Sequence, residues 1–217
     1  MLVLPLVIAI DMALKPPADA VRPSVETAVL AELNRARTDP AALARSLRDS
    51  RAYYRGNLLA RPGADAVYVT EEGVRPVDEA IAFVATEAPR APLAPAAVLT
   101  AAAADHQAEQ REDGAVGHAG HDGSTPAERV QRHGGQPYVG ELITYGSTDP
   151  ADIVRQLVVD DGVADRGHRH LLFDPSLRYA GVSCGDHPVY RYMCVVTVGR
   201  TPDGRPLAFR GGTGWRS

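Results

Sequence analysis

Apolar residues recur at helical spacing in several stretches of the chain, and residues that cap helices precede most of these stretches. Thr125–Glu128 reads as a capping box with proline in the first turn, which marks a helix start. Gly114 follows an alanine-rich stretch and is typical of a helix end. The pattern predicts helices after Ser24, after Asp39, over Asp78–Glu87, over Ala96–Asp113, after Thr125 and after Asp149.

Strand patterns are fewer. They cover Ala66–Thr70, Val74–Val77, Tyr138–Tyr145, Tyr179–Cys184 and Val189–Gly199. The first two are predicted to form a small hairpin whose second arm, which contains Pro76, lies at a sheet edge. The last two are predicted to be joined by a turn over Gly185–Pro188. Because helices and strands interleave irregularly, their order favours layers of helix and sheet over a doubly wound parallel sheet.

The chain has the size and composition of one globular domain. Its 217 residues are 45% hydrophobic and 23% charged, which suffices for a buried core and excludes a disordered or fibrous chain. The formal net charge is -4, the pI is near 6.0 and no basic stripe stands out, so we expect no nucleic-acid partner. The sequence does not indicate an oligomeric state.

The N-terminus has features of an export signal. Leu2–Ile10 is an apolar run too short to span a bilayer, and Ala18-Asp19-Ala20 offers a small-residue cleavage pattern. A positively charged start is missing and Asp11 interrupts the run, so a buried N-terminal strand is the alternative. We predict a signal peptide over residues 1–20, a mature chain without a transmembrane segment, and a secreted or periplasmic location. Residues 201–217 are predicted to be a C-terminal tail or an edge strand.

The two cysteines, Cys184 and Cys194, lack the short spacing of thiolate zinc sites. In an exported protein such a pair is expected to form a local disulfide. A turn over Gly185–Pro188 would not place the two cysteines directly opposite each other, so the pairing is predicted to need a longer loop or a bulge.

Histidines and carboxylates gather between Gly117 and Gly181, at turns and element ends. His118 and His168 follow glycines, and Glu141 is a carboxylate inside an apolar strand, where burial is costly without a partner. The acid near the second histidine is Asp160 or Asp161. Two imidazoles with carboxylates can bind a divalent metal, share a proton or satisfy one another, and the spacing alone does not decide among these.

Two other motifs have simpler interpretations. His106 falls seven residues after Leu99 on one helix face and is predicted to be a hydrogen-bonded core residue rather than a ligand. Gly181–Gly185 matches G-x-S-x-G, but a nucleophile elbow needs a helix directly after its strand. A turn and a second strand are predicted there instead, so Ser183 is not expected to be a nucleophile.

Several blocks, taken together in order and spacing, resemble a known family. They are His118-x-x-x-Asp122-Gly123-Ser124-Thr125-Pro126-x-Glu128-Arg129, then Gly140-Glu141, then Gly167-His168-Arg169, then Ala180-Gly181-Val182. This order resembles the CAP superfamily of cysteine-rich secretory protein, antigen 5 and pathogenesis-related 1 domains, also called SCP domains. The likeness covers about residues 24–200 and is greatest to the bacterial branch, which has few cysteines.

The resemblance implies an α+β fold, a three-layer α-β-α sandwich of the CAP/SCP type with a central cleft, over residues 21–200. It implies that His118, Glu141, Asp160 and His168 line the cleft, and that the two histidines are metal ligands for Zn²⁺ or another divalent metal. The chain departs from the family pattern at three positions, with Leu142 for the usual Asn, Leu157 for the usual Trp and Asp160 for a longer acid. The shorter acid reaches about 1.5 Å less.

Three functions follow from this resemblance. The first is a secreted module that binds a divalent metal and an extracellular or envelope ligand, such as a lipid or a peptide. The second is an extracellular hydrolase, similar to a peptidase, in which a metal-bound or histidine-activated water is the nucleophile. The third is a lipid- or sterol-binding protein. In the second case, His118, Glu141, Asp160 and His168 are the catalytic candidates.

Overall fold

A computed structural model describes residues 23–62 and 67–207. The helices are α1 Val25–Thr38, α2 Pro40–Ser50, α3 Arg75–Thr86, α4 Ala97–Asp113, α5 Pro126–Arg132, α6 Pro150–Val159 and α7 Gly167–Leu172. The strands are β1 Tyr54–Arg55, β2 Leu58–Leu59, β3 Tyr68–Val69, β4 Ala94–Pro95, β5 Val139–Tyr145, β6 Tyr179–His187 and β7 Arg191–Gly199. The predicted signal peptide lies outside the described residues.

The main sheet has four strands in the order β4-β6-β7-β5. The short β4 pairs parallel to β6, and the other neighbours are antiparallel. In this register Glu141 on β5 lies opposite Thr197 on β7. The strand that carries Glu141 is therefore at one end of the strand order. The three short strands β1, β2 and β3 form a separate antiparallel sheet.

Alternate side chains of the main sheet enter different hydrophobic cores. Val196 and Val198 belong to the larger core with buried residues of α1, α2, α3, α6 and α7. Met193 and Val195 pack instead with Ala103 of α4. Because successive side chains of a strand point to opposite faces, helices cover both faces of the sheet. The predicted α+β class is confirmed.

Gly181 on β6 lies where α4 crosses the sheet. A β-carbon built on it would fall 2.0 Å from the Thr100 backbone nitrogen and 2.1 Å from the Leu99 carbonyl carbon. Only glycine allows two backbones to approach this closely. The G-x-S-x-G match therefore begins with a packing glycine, and Ser183 lies inside a hairpin strand rather than at a strand-to-helix turn.

Most predicted helices are confirmed with their caps. Ser24, Asp39, Thr125 and Asp149 each accept a backbone hydrogen bond in the first turn of the following helix, and Thr125 and Glu128 form the predicted capping box. Gly114 ends α4 with a φ of 70°. These elements are specified by residues close together in the chain, which is why the pattern found them.

The predicted small hairpin is wrong in its second arm: β3 lies within the first predicted strand, but Val74–Val77 is not a strand. Val74 precedes α3, and Pro76 occupies its first turn, where a missing N–H costs nothing. Val77, Ala80 and Val84 are buried at helical spacing. The preceding strand, β3, pairs with β2 instead. The residues of β1 and β2 had no clear pattern in the sequence, and no element was predicted at β4 or α7.

The last hairpin is longer than predicted, and this corrects the expected disulfide geometry. β6 continues through His187, so the turn is Pro188–Tyr190 rather than Gly185–Pro188. In this register Cys184 lies directly opposite Cys194, with their Cα atoms 4.1 Å apart. The predicted disulfide is confirmed, but the cysteines pair without the longer loop or the bulge that was predicted from the sequence.

Within the described ranges, no helix combines the length and the apolar character that a membrane span requires. Of the predicted tail, residues 201–207 contain no strand, and residues 208–217 lie beyond the part of the chain that the structure describes.

Candidate functional site

His118 lies in the loop between α4 and α5, and a carboxylate on β5 holds its ring. Its Nδ1 is 2.9 Å from Oε1 of Glu141. The Glu141 side chain is only 1% exposed, whereas that of His118 is 49% exposed. Because a buried carboxylate needs a partner, the imidazole and the acid satisfy each other at the end of the sheet.

Arg129 of α5 is a third member of this group, and it was not among the site residues predicted from the sequence. Its guanidinium is fully buried and donates from Nη2 to Oε2 of Glu141, at 2.8 Å. The same nitrogen donates to the His118 carbonyl at 3.1 Å, and Nη1 donates to the Ser124 carbonyl at 2.9 Å. Arg129 was part of the family-like block, but its pairing with Glu141 on the next element, β5, is determined by the fold.

His168 lies in the first turn of α7, and Asp160 is its partner. Nδ1 of His168 is 2.7 Å from Oδ1 of Asp160, and the backbone N–H of His168 donates to Oδ2 at 3.0 Å. Asp161 instead accepts hydrogen bonds from the backbone amides of Glu71 and Glu72. Of the two candidate acids, Asp160 is the one beside the histidine.

The backbone conformation of Asp160 brings its short side chain to His168. Asp160 is the C-cap of α6 in the left-handed region, with φ 59°. Aspartate tolerates this conformation better than most residues. The Arg169 guanidinium donates to the carbonyls of Val158 and Val159, and Arg166 donates to that of Asp160. The chain that leaves α6 is therefore held through its own carbonyl groups.

An ion-pair network ties this segment to α3. The Arg166 guanidinium donates to both carboxylate oxygens of Glu72, at 2.6 and 2.9 Å, and to Glu79 at 2.9 Å. Hydrogen bonds from Arg166, and next from the Gly162 amide, lower the pKa of Glu72 to about 2. The same hydrogen bonds, donated to Glu72, raise the pKa of Arg166.

The two histidine rings lie close to each other. Their centroids are 5.9 Å apart and their planes meet at 54°. Each ring uses Nδ1 toward a carboxylate, and neither Nε2 forms a hydrogen bond to another of the residues that the structure describes. A carboxylate behind a histidine fixes the ring and its tautomer, as in many metal sites. The structure thus brings His118, Glu141, Asp160 and His168 together.

His106 borders this group as a core residue. It is fully buried on α4, and its Nε2 is 2.8 Å from the Gly117 carbonyl. The same nitrogen lies 4.0 Å from Oε1 of Glu141. The prediction of a buried, hydrogen-bonded histidine is confirmed, and its contact with Gly117 supports the loop that carries His118.

A surface cavity lies near these residues but does not contain them. Its volume is ≈ 500 Å³, and it is lined by Asp122, Gly123, Ser124, Glu128, Gln131 and Arg132. The central cleft that the family resemblance implies remains a prediction.

Comparison with solved structures finds two bacterial proteins of limited similarity. One is an extracellular SCP-domain protein from Bacillus anthracis, at 20% identity and a TM-score of 0.41, covering 50% of this chain and 34% of the other. The other is an outer surface protein from Borrelia burgdorferi, at 16% identity and a TM-score of 0.41, covering 49% of this chain and 75% of the other. The chain thus spans about a third of the Bacillus protein.

No curated protein matches the chain. The model of the cysteine-rich secretory protein family, CAP, matches residues 30–198, which is most of the chain and includes all four candidate site residues. This match confirms the resemblance seen in the sequence: the chain belongs to the CAP family of cysteine-rich secretory proteins.

Proposed function

We propose that this chain is an extracellular or envelope binding module in which Nε2 of His118 and Nε2 of His168 hold a divalent metal, Zn²⁺ or another. One observation carries the proposal. Both rings are anchored through Nδ1 to a buried carboxylate, so both second nitrogens are left for a ligand, and the rings are 5.9 Å apart.

The residues present fit such a metal. Neutral imidazole is a preferred ligand of zinc and of other late divalent metals. Among the described residues no group of three or more histidine, cysteine or acidic side chains is arranged to hold a metal, so two imidazoles would be the protein's share. A divalent metal there would supply open positions and positive charge for an oxygen-bearing ligand. Glu141 and Asp160 would orient the imidazoles from behind.

The location outside the cell rests on independent features. The matching family is described as secretory, and the Cys184–Cys194 disulfide is of a kind that persists in oxidising compartments. The predicted signal peptide over residues 1–20 and the domain limits of 21–200 remain predictions, because the structure does not test them.

Calorimetric titration of Zn²⁺ tests the proposal. His118→Ala and His168→Ala are each expected to abolish binding, because a single imidazole is a poor site. His133→Ala is the control, since His133 ends α5 and pairs with Asp105 away from the site. Binding should weaken as the pH is lowered, because only neutral imidazole binds metal. Equal affinity in all four proteins would mean that the histidines are a hydrogen-bonded cluster without a metal.

The second candidate function is hydrolysis. His118 is half exposed and paired with a buried acid, which is the arrangement of a general base with its orienting group. Peptide hydrolysis that is lost in both His118→Ala and Glu141→Gln would favour this function over simple binding. Lipid or sterol binding remains a prediction from the family resemblance.

A further inference from the structure

We infer that Arg129 is a positioning residue for His118, acting through the Glu141 carboxylate and the His118 main chain at the same time. The inference rests on the proposed function for its consequence in metal binding, but its geometric part concerns the metal-free protein alone. Arg129 would determine which nitrogen of His118 is offered to a ligand.

The Arg129 guanidinium joins the Glu141 side chain, the main chain at His118 and the main chain at Ser124. It donates to Oε2 of Glu141, to the carbonyl of His118 and to the carbonyl of Ser124, and it is fully buried. With Oε2 held by Arg129, the other oxygen of Glu141 points to Nδ1 of His118. A planar guanidinium suits this role because its donors are fixed relative to one another.

Without Arg129 the carboxylate would have a competing partner. His106 Nε2 lies 4.0 Å from Oε1 of Glu141, the same oxygen that meets His118. A carboxylate freed from the guanidinium would be able to rotate toward His106, which would exchange its hydrogen bond to the Gly117 carbonyl for one to Glu141, and the His118 carbonyl would lose a donor. His118 would then lose both the fixed Nδ1 partner and the main-chain anchor that together hold its ring.

The same helix offers a matched control. Arg132 is three residues further along α5 and pairs with Asp122 at the surface, at 2.5 Å. Arg132→Met removes an arginine and its ion pair without touching Glu141. A general effect of losing positive charge on α5 would appear in both variants, and an effect on positioning would appear only in Arg129→Met.

The first experiment is nitrogen NMR of metal-free protein labelled with ¹⁵N-histidine, which reports the tautomer of each ring. Wild-type His118 is expected to carry its proton on Nδ1. In Arg129→Met, His118 is expected to show a mixture of tautomers, while His168 is unchanged, and in Arg132→Met both are unchanged. If Arg129→Met does not fold, Arg129→Lys serves, because one ammonium group cannot reproduce the planar fork.

Two results would overturn the inference: a wild-type His118 protonated mainly on Nε2, or an unchanged single tautomer in whichever Arg129 variant folds. The second experiment titrates Zn²⁺ into the same proteins, with affinity expected to fall about 10- to 100-fold in Arg129→Met and to stay unchanged in Arg132→Met. Absence of zinc binding in wild type would refute the proposed function and leave the tautomer result standing, so the two failures are distinguishable.

Discussion

The two histidines of the candidate site are supported in different ways. His118 depends on side chains from two elements, Glu141 on β5 and Arg129 on α5, both buried. His168 depends on one carboxylate, Asp160, whose position follows from the backbone at the end of α6. That carboxylate also accepts hydrogen bonds from two backbone amides of α7.

This difference predicts how each half of the site fails. In the His118 half, removing one side chain leaves another buried charge without its partner. In the His168 half, carbonyl groups around Asp160 are held by Arg166 and Arg169, so the main chain retains other supports. The same imidazole pair is therefore supported on one side by buried side-chain charges and on the other largely by main-chain geometry.

The largest expected loss of stability follows Glu141→Ala. The buried Arg129 guanidinium would lose its counter-charge, which costs about 3–5 kcal/mol in the free energy of unfolding. Asp160→Ala should cost less, about 2 kcal/mol, from the lost hydrogen bonds to two backbone amides of α7 and from the left-handed backbone that alanine tolerates poorly. Urea unfolding of both variants measures the difference.

Asp160→Asn sharpens this measurement, because asparagine tolerates the left-handed conformation and retains an acceptor oxygen. It should lose less stability than Asp160→Ala. Equal losses in Glu141→Ala and Asp160→Ala would contradict the proposed difference between the two halves.

An effect smaller than that of Glu141→Ala is expected at the disulfide, outside both halves. The double variant Cys184→Ser with Cys194→Ser opens a short loop and should lower the free energy of unfolding by roughly 2–3 kcal/mol. Zinc affinity should not change, since neither cysteine contacts the histidine supports. Calorimetry and urea unfolding on the same samples test both statements. A change in zinc affinity that follows the disulfide would show that the hairpin and the site are coupled.

The smallest expected effect is a loss of stability at low pH. Hydrogen bonds from Arg166 and from the Gly162 amide lower the folded-state pKa of Glu72 from its ordinary value of 4.5 to about 2. The stabilisation from this carboxylate is therefore fully present above pH 4.5 and is lost as the pH falls toward 2. The stability difference between wild type and Glu72→Gln should shrink across that range in urea unfolding. A difference that stays constant down to pH 2 would exclude this linkage.

Local signals in the sequence predicted the parts of the fold that local chemistry determines. Helix starts were predicted by the caps Asp39, Thr125 and Asp149, and one helix end was predicted by Gly114. Such residues can be recognised in the sequence because they act on backbone groups one to three positions away. Pro76 was ambiguous in principle, since proline suits both an edge strand and the first turn of a helix. Only the burial of the residues that follow it decides for α3.

Tertiary pairing determines what the sequence left open. Gly185 and Asp186 favour a turn in isolation, but β6 stays paired with β7 as far as His187. The choice between Asp160 and Asp161 depends on one positive φ at a helix end, where helical periodicity no longer applies. Arg129 was missed because its partner Glu141 is on a strand that only the fold brings near.

Gly181 on β6 can affect the site through α4, the helix that packs on it. A methyl group at this position would have to displace the backbone at Leu99 and Thr100, and α4 is one continuous helix from Ala97 to Asp113. Further along that helix, His106 and Gln110 hold the Gly117 carbonyl, one residue before His118. The absence of a side chain at position 181 therefore allows α4 to pack close to the sheet. A larger residue would move the helix away from the sheet, and the loop that carries His118 would move with it.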